Sequence, residues 1–209
     1  SNNVLSNNVY YADILSNNTL SPWVTGTNLP VAVKDHEMIL INSYIYLIGG
    51  MTTNQSNIIY RAKVSNDGSI GNFTIYGKLP VPLSNYELIS THDSIFLIGG
   101  FTTNNVIQSS SYRIPIQSND TIGTGVDVNG FITGIETNIF NLPYGLANSS
   151  CLITSKKLYM VGGMSSAITN NIMSCDFIGG KDNYLHTPYN TIPIMFKLPD
   201  FTDTNIDMN

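Results

Sequence analysis

The stretches YIYLIGG (residues 44–50), SIFLIGG (94–100) and KLYMVGG (157–163) are three versions of one phrase. From Gly49 to Gly99 is 50 residues, and from Gly99 to Gly162 is 63. Each phrase is a short, continuous apolar run closed by a turn signal, the pattern of a strand buried on both faces. A self-similar period of about 50 residues marks a repeat architecture. It decides the architecture before any single residue is considered, and it leaves function open, because such scaffolds carry unrelated activities.

The repeat runs deeper than the glycines. A shift of 50 puts Tyr10 on Tyr60, Leu20 on Ile70, Trp23 on Phe73 and Leu29-Pro30 on Leu79-Pro80. The third copy repeats the series as Tyr112, Ile122 and Leu142-Pro143, and its 13 extra residues are expected in the Gly-rich stretch 123–136. A fourth, partial copy follows Gly163, with a strand expected over 172–178 and an echo of Lys78-Leu79-Pro80 in Lys197-Leu198-Pro199. The units are therefore 1–50, 51–100, 101–163 and a partial 164–181. The segment 182–209, with Pro188, Pro193 and Pro199, reads as extended chain or as the rest of the fourth unit.

Four strands are expected per unit. The first covers 36–41, 86–90 and 150–154; the second is the run ending in Gly-Gly. The third carries the tyrosine (57–64, 111–116), and the fourth the Trp23 or Phe73 aromatic. Residues 65–69 (SNDGS), with Asn17-Asn18 and Asn119-Asp120 as counterparts, favour tight hairpins because Gly, Asn and Asp tolerate positive φ. Gly49, Gly50, Gly99, Gly100, Gly162 and Gly163 stand where the chain must turn in a crowded place that a Cβ would obstruct. Tyr10, Tyr60, Tyr112, Trp23 and Phe73 are expected between adjacent units, at roughly 1.5–3 kcal/mol per fully buried aromatic. A phosphate-loop reading of the Gly-Gly pairs fails, since no Lys-Ser/Thr follows them.

In its Leu-Pro, Gly-Gly, Tyr and Trp/Phe positions the chain resembles a divergent kelch-repeat β-propeller. The resemblance spans nearly the whole sequence. It implies an all-β fold with about three complete four-stranded repeats and partial blades at both ends. Ser1 aligns with Met51, and no fourth Gly-Gly follows Gly163. With four to eight blades needed for closure, the expectation is a segment of a larger propeller. Similar repeats occur in bacterial surface proteins and in bacteriophage tail or appendage proteins.

Composition narrows the partners. Only 11% of residues are charged, the net charge is −5, and no Lys/Arg cluster occurs. Nucleic acid and anionic membranes select basic patches, so neither is expected as a partner. No apolar stretch approaches the ~20 residues of a bilayer span. Cys151 and Cys175 are too few for a disulfide scaffold and read as unpaired, buried thiols. Two Cys and three scattered His do not make a zinc set, and no cofactor is expected.

On the propeller reading, two sets of loops share one face. The first holds Asp35 and His36, then Asn85 and Tyr86, then Asn148 and Ser149; the second holds Thr53-Asn54 and Thr103-Asn104. Hydroxyls and amides arranged in a ring suit a neutral polar ligand such as a sugar, with Tyr86 as a stacking platform and Asp35-His36 as polar contacts. The same residue types also build ordinary tight turns, so both readings stand. Glu37 and Glu87 share one repeat position and could act as the carboxylate pair of a glycosidase, although Ser150 stands there in the third copy. Copper oxidases built on this fold need paired Tyr and His ligands, whereas His36, His92 and His186 occupy unrelated repeat positions. The resulting expectation is a non-enzymatic binding or structural module, part of a bacteriophage tail fibre, spike or appendage. Its partners would be a host-surface glycan or protein, other virion or surface subunits, or a second copy of itself. A carbohydrate-active enzyme and a protein–protein adaptor are the alternatives.

Overall fold

The computed structural model describes residues 5–119, 121–154, 157–168, 170–176 and, through its backbone, 194–197. The described chain is all-β, its one helical element being a 3₁₀ turn at Thr103–Asn105. In chain order the strands are β1 (Tyr10–Tyr11), β2 (Val24–Thr25), β3 (Glu37–Ile41), β4 (Tyr44–Ile48), β5 (Ile58–Lys63), β6 (Thr74–Lys78), β7 (Glu87–Ser90), β8 (Ser94–Ile98) and β9 (Phe101–Thr102). They continue with β10 (Val106–Ile107), β11 (Ser111–Pro115), β12 (Gly125–Val126), β13 (Ile132–Thr133), β14 (Glu136–Thr137), β15 (Ser150–Ile153), β16 (Lys157–Val161), β17 (Asn171–Asp176) and β18 (Ile194–Lys197). Three antiparallel sheets of four strands result: β3-β4-β5-β6, β7-β8-β11-β14 and β15-β16-β17-β18, preceded by the pair β1-β2. Among the described residues no sheet closes on itself.

The strands match the expected four-part cycle to within a residue or so at most ends. Of the segment 182–209, only Ile194–Lys197 is described; it pairs with β17 as the fourth strand of its sheet. The remainder of that segment, and residues 177–178 of the expected strand, lie outside the described residues.

Why the Gly-Gly strands are apolar throughout follows from the packing. Alternate side chains of a strand point to opposite faces, and β4 and β8 are covered on both. From β4, Tyr46 and Ile48 enter a cluster shared with Ile95, Leu97, Tyr112 and Ile114 of the next sheet. Leu47, from the same strand, packs the other way with Tyr60, Phe73 and Leu29. From β8, Phe96 and Ile98 meet Leu158, Met160 and Met173. Three such clusters form the core, one between each pair of successive sheets.

Both glycines of the first two pairs are explained by this stacking. Gly49 sits at φ +59, and a Cβ there would lie 2.5 Å from the Leu83 carbonyl oxygen, at the entry to the next sheet. Gly50, at φ +91, would drive a Cβ to 2.7 Å from the Cβ of His36. In turn the N–H groups of Gly50 and Gly100 donate to the carbonyls of Leu83 and Leu146, both at 2.8 Å. The first glycine thus admits the neighbouring sheet and the second admits the loop of its own.

The hairpin turns behave as their residues require. Asn17, Asp67 and Asn119 each accept from the hydroxyl two residues on, at 2.6, 2.7 and 2.6 Å.

Two expectations about the repeat are corrected. Tyr60, Tyr112 and Phe73 are buried, but Tyr10 and Trp23 are 56% and 67% exposed. Residues at the Tyr60 and Phe73 positions face the preceding sheet, and among the described residues no sheet precedes β1-β2. The 13 extra residues of the third unit are also divided. Gly49 N–H bonds Ile58, nine residues on, while Gly99 N–H bonds Ser110, eleven on. Two of the thirteen therefore lengthen the loop after β8, and the other eleven enlarge the stretch between Ile122 and Leu142. That stretch forms the β12-β13 hairpin, which lies against β6: Tyr76 donates to the Ile122 carbonyl at 2.6 Å, and Lys78 to that of Asn129 at 3.2 Å.

Candidate functional site

The two loop sets meet at one edge of the sheets. Beyond the end of each β3-β4-type hairpin, one more antiparallel bridge joins them: Lys34 with Met51, Ser84 with Phe101, Ala147 with Met164. Next to each bridge, Asp35, Asn85 and Asn148 hold left-handed backbones, with φ of 55°, 53° and 53°. Asn and Asp tolerate this region better than most residues. The backbone N–H of Asn85 donates to the Asp35 carbonyl at 3.1 Å, and that of Asn148 to the Asn85 carbonyl at 3.0 Å. The Asn85 Nδ2 also donates to the Asn148 Oδ1 at 2.7 Å. Three residues from three units are thereby linked in a row across neighbouring sheets.

His36, Tyr86 and Ser149 follow them in sequence. Tyr86 and Ser149 reach toward the preceding sheet. Tyr86 donates its hydroxyl to the Ile48 carbonyl at 2.8 Å and is 2% exposed. Tyr86 is therefore not a sugar-stacking platform: its ring is spent in the core between two sheets. Ser149 donates to Glu87 Oε1 at 3.4 Å. His36 is half-buried with no hydrogen bond to Nδ1 among the described residues, and burial lowers its pKa against the raising effect of Asp35. Asp35 is paired at 3.3 Å with its neighbour Lys34.

The second loop set is more open. Thr53, Asn54, Thr103 and Asn104 are exposed at the tips, with Asn104 at φ 60° inside the 3₁₀ turn. The link between these loops is made by residues that the sequence reading passed over: Gln55 Nε2 donates to Asn105 Oδ1 at 2.5 Å. Their 50-residue separation was the available signal.

Below the row, Glu37 and Glu87 open the first strands of adjacent sheets. Burial raises the pKa of Glu37. Glu87 is pushed up to about 7, first by burial and then by the negative charge of Glu37, against the lowering bonds from Ser149 and the Cys151 backbone. A carboxyl with that value can exchange a proton near neutrality. Cys151 and Cys175 are free and half-buried; burial, followed by nearby negative groups, pushes their thiols up to about 12 and about 11. Few nucleophilic thiolates form at such values. Among the described residues no cluster of three His, Cys, Asp or Glu could hold a metal ion, and no helix is long and apolar enough to cross a membrane.

No protein-family model matches the sequence, and no curated protein does. Among solved structures, that of YjhT is similar over 95% of this chain, with a TM-score of 0.66 and 11% sequence identity. The likeness is one of fold. This chain spans 61% of the length of YjhT.

Proposed function

We propose that the chain is a sector of a kelch-like β-propeller acting as a non-enzymatic binding module for a neutral polar ligand, a glycan in particular. The observation that supports this reading is the linked row of Asp35, Asn85 and Asn148, repeated at one edge of three successive units. Backbones locked in this way hold amide and carboxyl groups in a fixed array, and preorganised donors and acceptors lose little freedom when a ligand arrives. The low charge and the repeat resemblance favour a bacteriophage tail fibre, spike or appendage, with a host-surface glycan or protein as its target.

The test uses labelled protein on immobilised host-surface glycans and on whole cells. Asn85→Gly and Asn148→Gly remove the amides while keeping positive φ accessible. The expected outcome is at least about tenfold weaker binding with little change in melting temperature, equivalent to ~1.4 kcal/mol. Undiminished binding would remove the row from the site, and absence of any cell or glycan binding would remove the function.

A carbohydrate-active enzyme is the second reading, favoured by the Glu37–Glu87 pair. One carboxyl held near neutrality beside another with a separate role is a recurring acid–base arrangement. That reading requires a sugar turnover which Glu87→Gln or Glu37→Gln abolishes.

A further inference from the structure

Asn129-Gly130, at the tip of the β12-β13 hairpin, is the one Asn-Gly step in the sequence. Asparagine is a chemically labile residue, and most so before glycine, which lacks the Cβ that would shield its amide nitrogen from the neighbouring side chain. The surroundings leave this side chain free to react. Asn129 is exposed, and its carboxamide makes no hydrogen bond among the described residues, whereas those of Asn17, Asn85, Asn119 and Asn148 are all engaged. The backbone is held instead. Asp127 Oδ1 accepts from the N–H groups of Asn129 and Phe131 at 2.9 and 2.8 Å, and the Gly130 N–H donates to the Asp127 carbonyl at 3.0 Å.

The carbonyl between Asn129 and Gly130 has a partner from another sheet. Its oxygen accepts from Lys78 Nζ at 3.2 Å. The same ammonium lies 5.6 Å from the centre of the Phe131 ring, and Lys78 and Phe131 are joined by a backbone bridge. A cation is therefore positioned on one particular carbonyl of the labile step.

We propose that Asn129 is a site of spontaneous modification, and that Lys78 steers it to the isoaspartyl product. In the first step hydroxide removes the Gly130 amide proton, the nitrogen bonds to Asn129 Cγ, and the side-chain amide leaves as ammonia. The product is a five-membered imide with two carbonyls, and water adds to one of them while a proton returns to the Gly130 nitrogen. Attack at Cγ breaks its bond to that nitrogen and gives aspartate with the chain as before. Attack at the backbone carbonyl breaks the other bond, so that the chain runs on through Cβ and Cγ. Negative charge develops on the carbonyl oxygen under attack, and a positioned cation stabilises it. Lys78 faces the backbone carbonyl and so favours the second route. The oxygen it already contacts becomes part of a free carboxylate, and a neutral contact becomes an ion pair. The change adds one negative charge to a chain of net −5 and one backbone carbon to the turn that rests on Lys78. The inference is independent of the ligand reading above.

The 209-residue chain, warmed in mildly alkaline buffer and sampled by peptide mapping with mass spectrometry, tests both parts. Asn129 is expected to convert before any other asparagine, with an isoaspartyl-to-aspartyl ratio above that of the same chain aged in urea. Lys78→Met should lower the ratio in the folded chain by about two- to fivefold, the range of an exposed charge contact, and Lys78→Arg should restore it. Salt at about 1 M, which shortens the reach of an exposed charge, should lower it without any substitution. Survival of Asn129 after other asparagines have converted overturns the site. A ratio that Lys78→Met leaves unchanged overturns the steering, and so does a loss that Lys78→Arg fails to restore.

Discussion

The strand Ser94–Ile98 in the middle sheet and the strand Lys157–Val161 in the last one are variants of the same phrase, yet they live in different surroundings. All five residues of the first are buried. In the second, Leu158 and Met160 are buried while Val161 is exposed. The sequence motif is the same because both strands are built to be covered twice. Of the two, the strand in the middle sheet alone is so covered among the described residues. An apolar run therefore reports what a strand can bury, and its neighbours decide how much of that is realised.

The largest expected effect tests this directly. Ile98→Ala should destabilise the chain by about 2–5 kcal/mol, whereas Val161→Ala, at the equivalent position, should cost within about 0.5–1 kcal/mol in dilute solution. Urea unfolding of the two variants measures both, and equal costs would break the comparison. Next come Gly100→Ala and Gly163→Ala. Both have positive φ, and in both the added Cβ would strike the loop of the same sheet, with Ser84 or Ala147 carbonyls at 2.7 and 2.8 Å. Each should cost about 2–4 kcal/mol from backbone strain and overpacking combined. Near-equal values would show that the two sheets differ in their faces and not in their turns.

A smaller contrast involves Arg61 and Arg113, at the same repeat position in neighbouring sheets. Arg113 is buried, donates to Ser94 at 2.8 Å and pairs with Glu136 at 2.7 Å. Arg61 lies over the rings of Tyr44 and Tyr76, at 4.9 and 4.7 Å. Arg113→Met leaves the wholly buried Ser94 hydroxyl without that donor and should cost about 1–3 kcal/mol. Arg61→Met should cost about 0.5–1 kcal/mol. Thermal denaturation separates the two.

The last effect is a pH dependence centred on Glu87 in the middle sheet. Glu87 holds its proton more tightly in the folded protein, at about 7 against an ordinary 4.5. Its contribution to stability is thus fully present below pH 4.5 and declines as pH rises through 7, because the native state binds the extra proton. Glu87→Gln should flatten the melting temperature across that window. Ser150, in the same position of the last sheet, supplies no such titration.

Legibility followed the repeat. The strands, their order within each unit and the turns at Asn17, Asp67 and Asn119 could be read because each is specified locally and appears more than once. Trp23 and Tyr10 could not be placed, since their burial depends on a neighbouring sheet and not on their own strand. Tyr86 looked like an exposed loop aromatic, but its hydroxyl is satisfied by Ile48, 38 residues away. The site was legible as a set of polar loop residues. The link between Asn85 and Asn148 was not, because a repeat alignment pairs equivalent positions without saying that their side chains touch.

That insertion has a mechanical consequence. Sheets stacked in series exchange stability mainly with their nearest neighbours, so such a chain can unravel from its ends one unit at a time. The bonds from Tyr76 to Ile122 and from Lys78 to Asn129 rivet one junction at its outer edge, and Ile132 is buried in the cluster there. Opening that junction means prising away the hairpin as well as parting the sheets. The two sheets flanking it should accordingly exchange their amide hydrogens last, as a single block, after the rest of the array has let go.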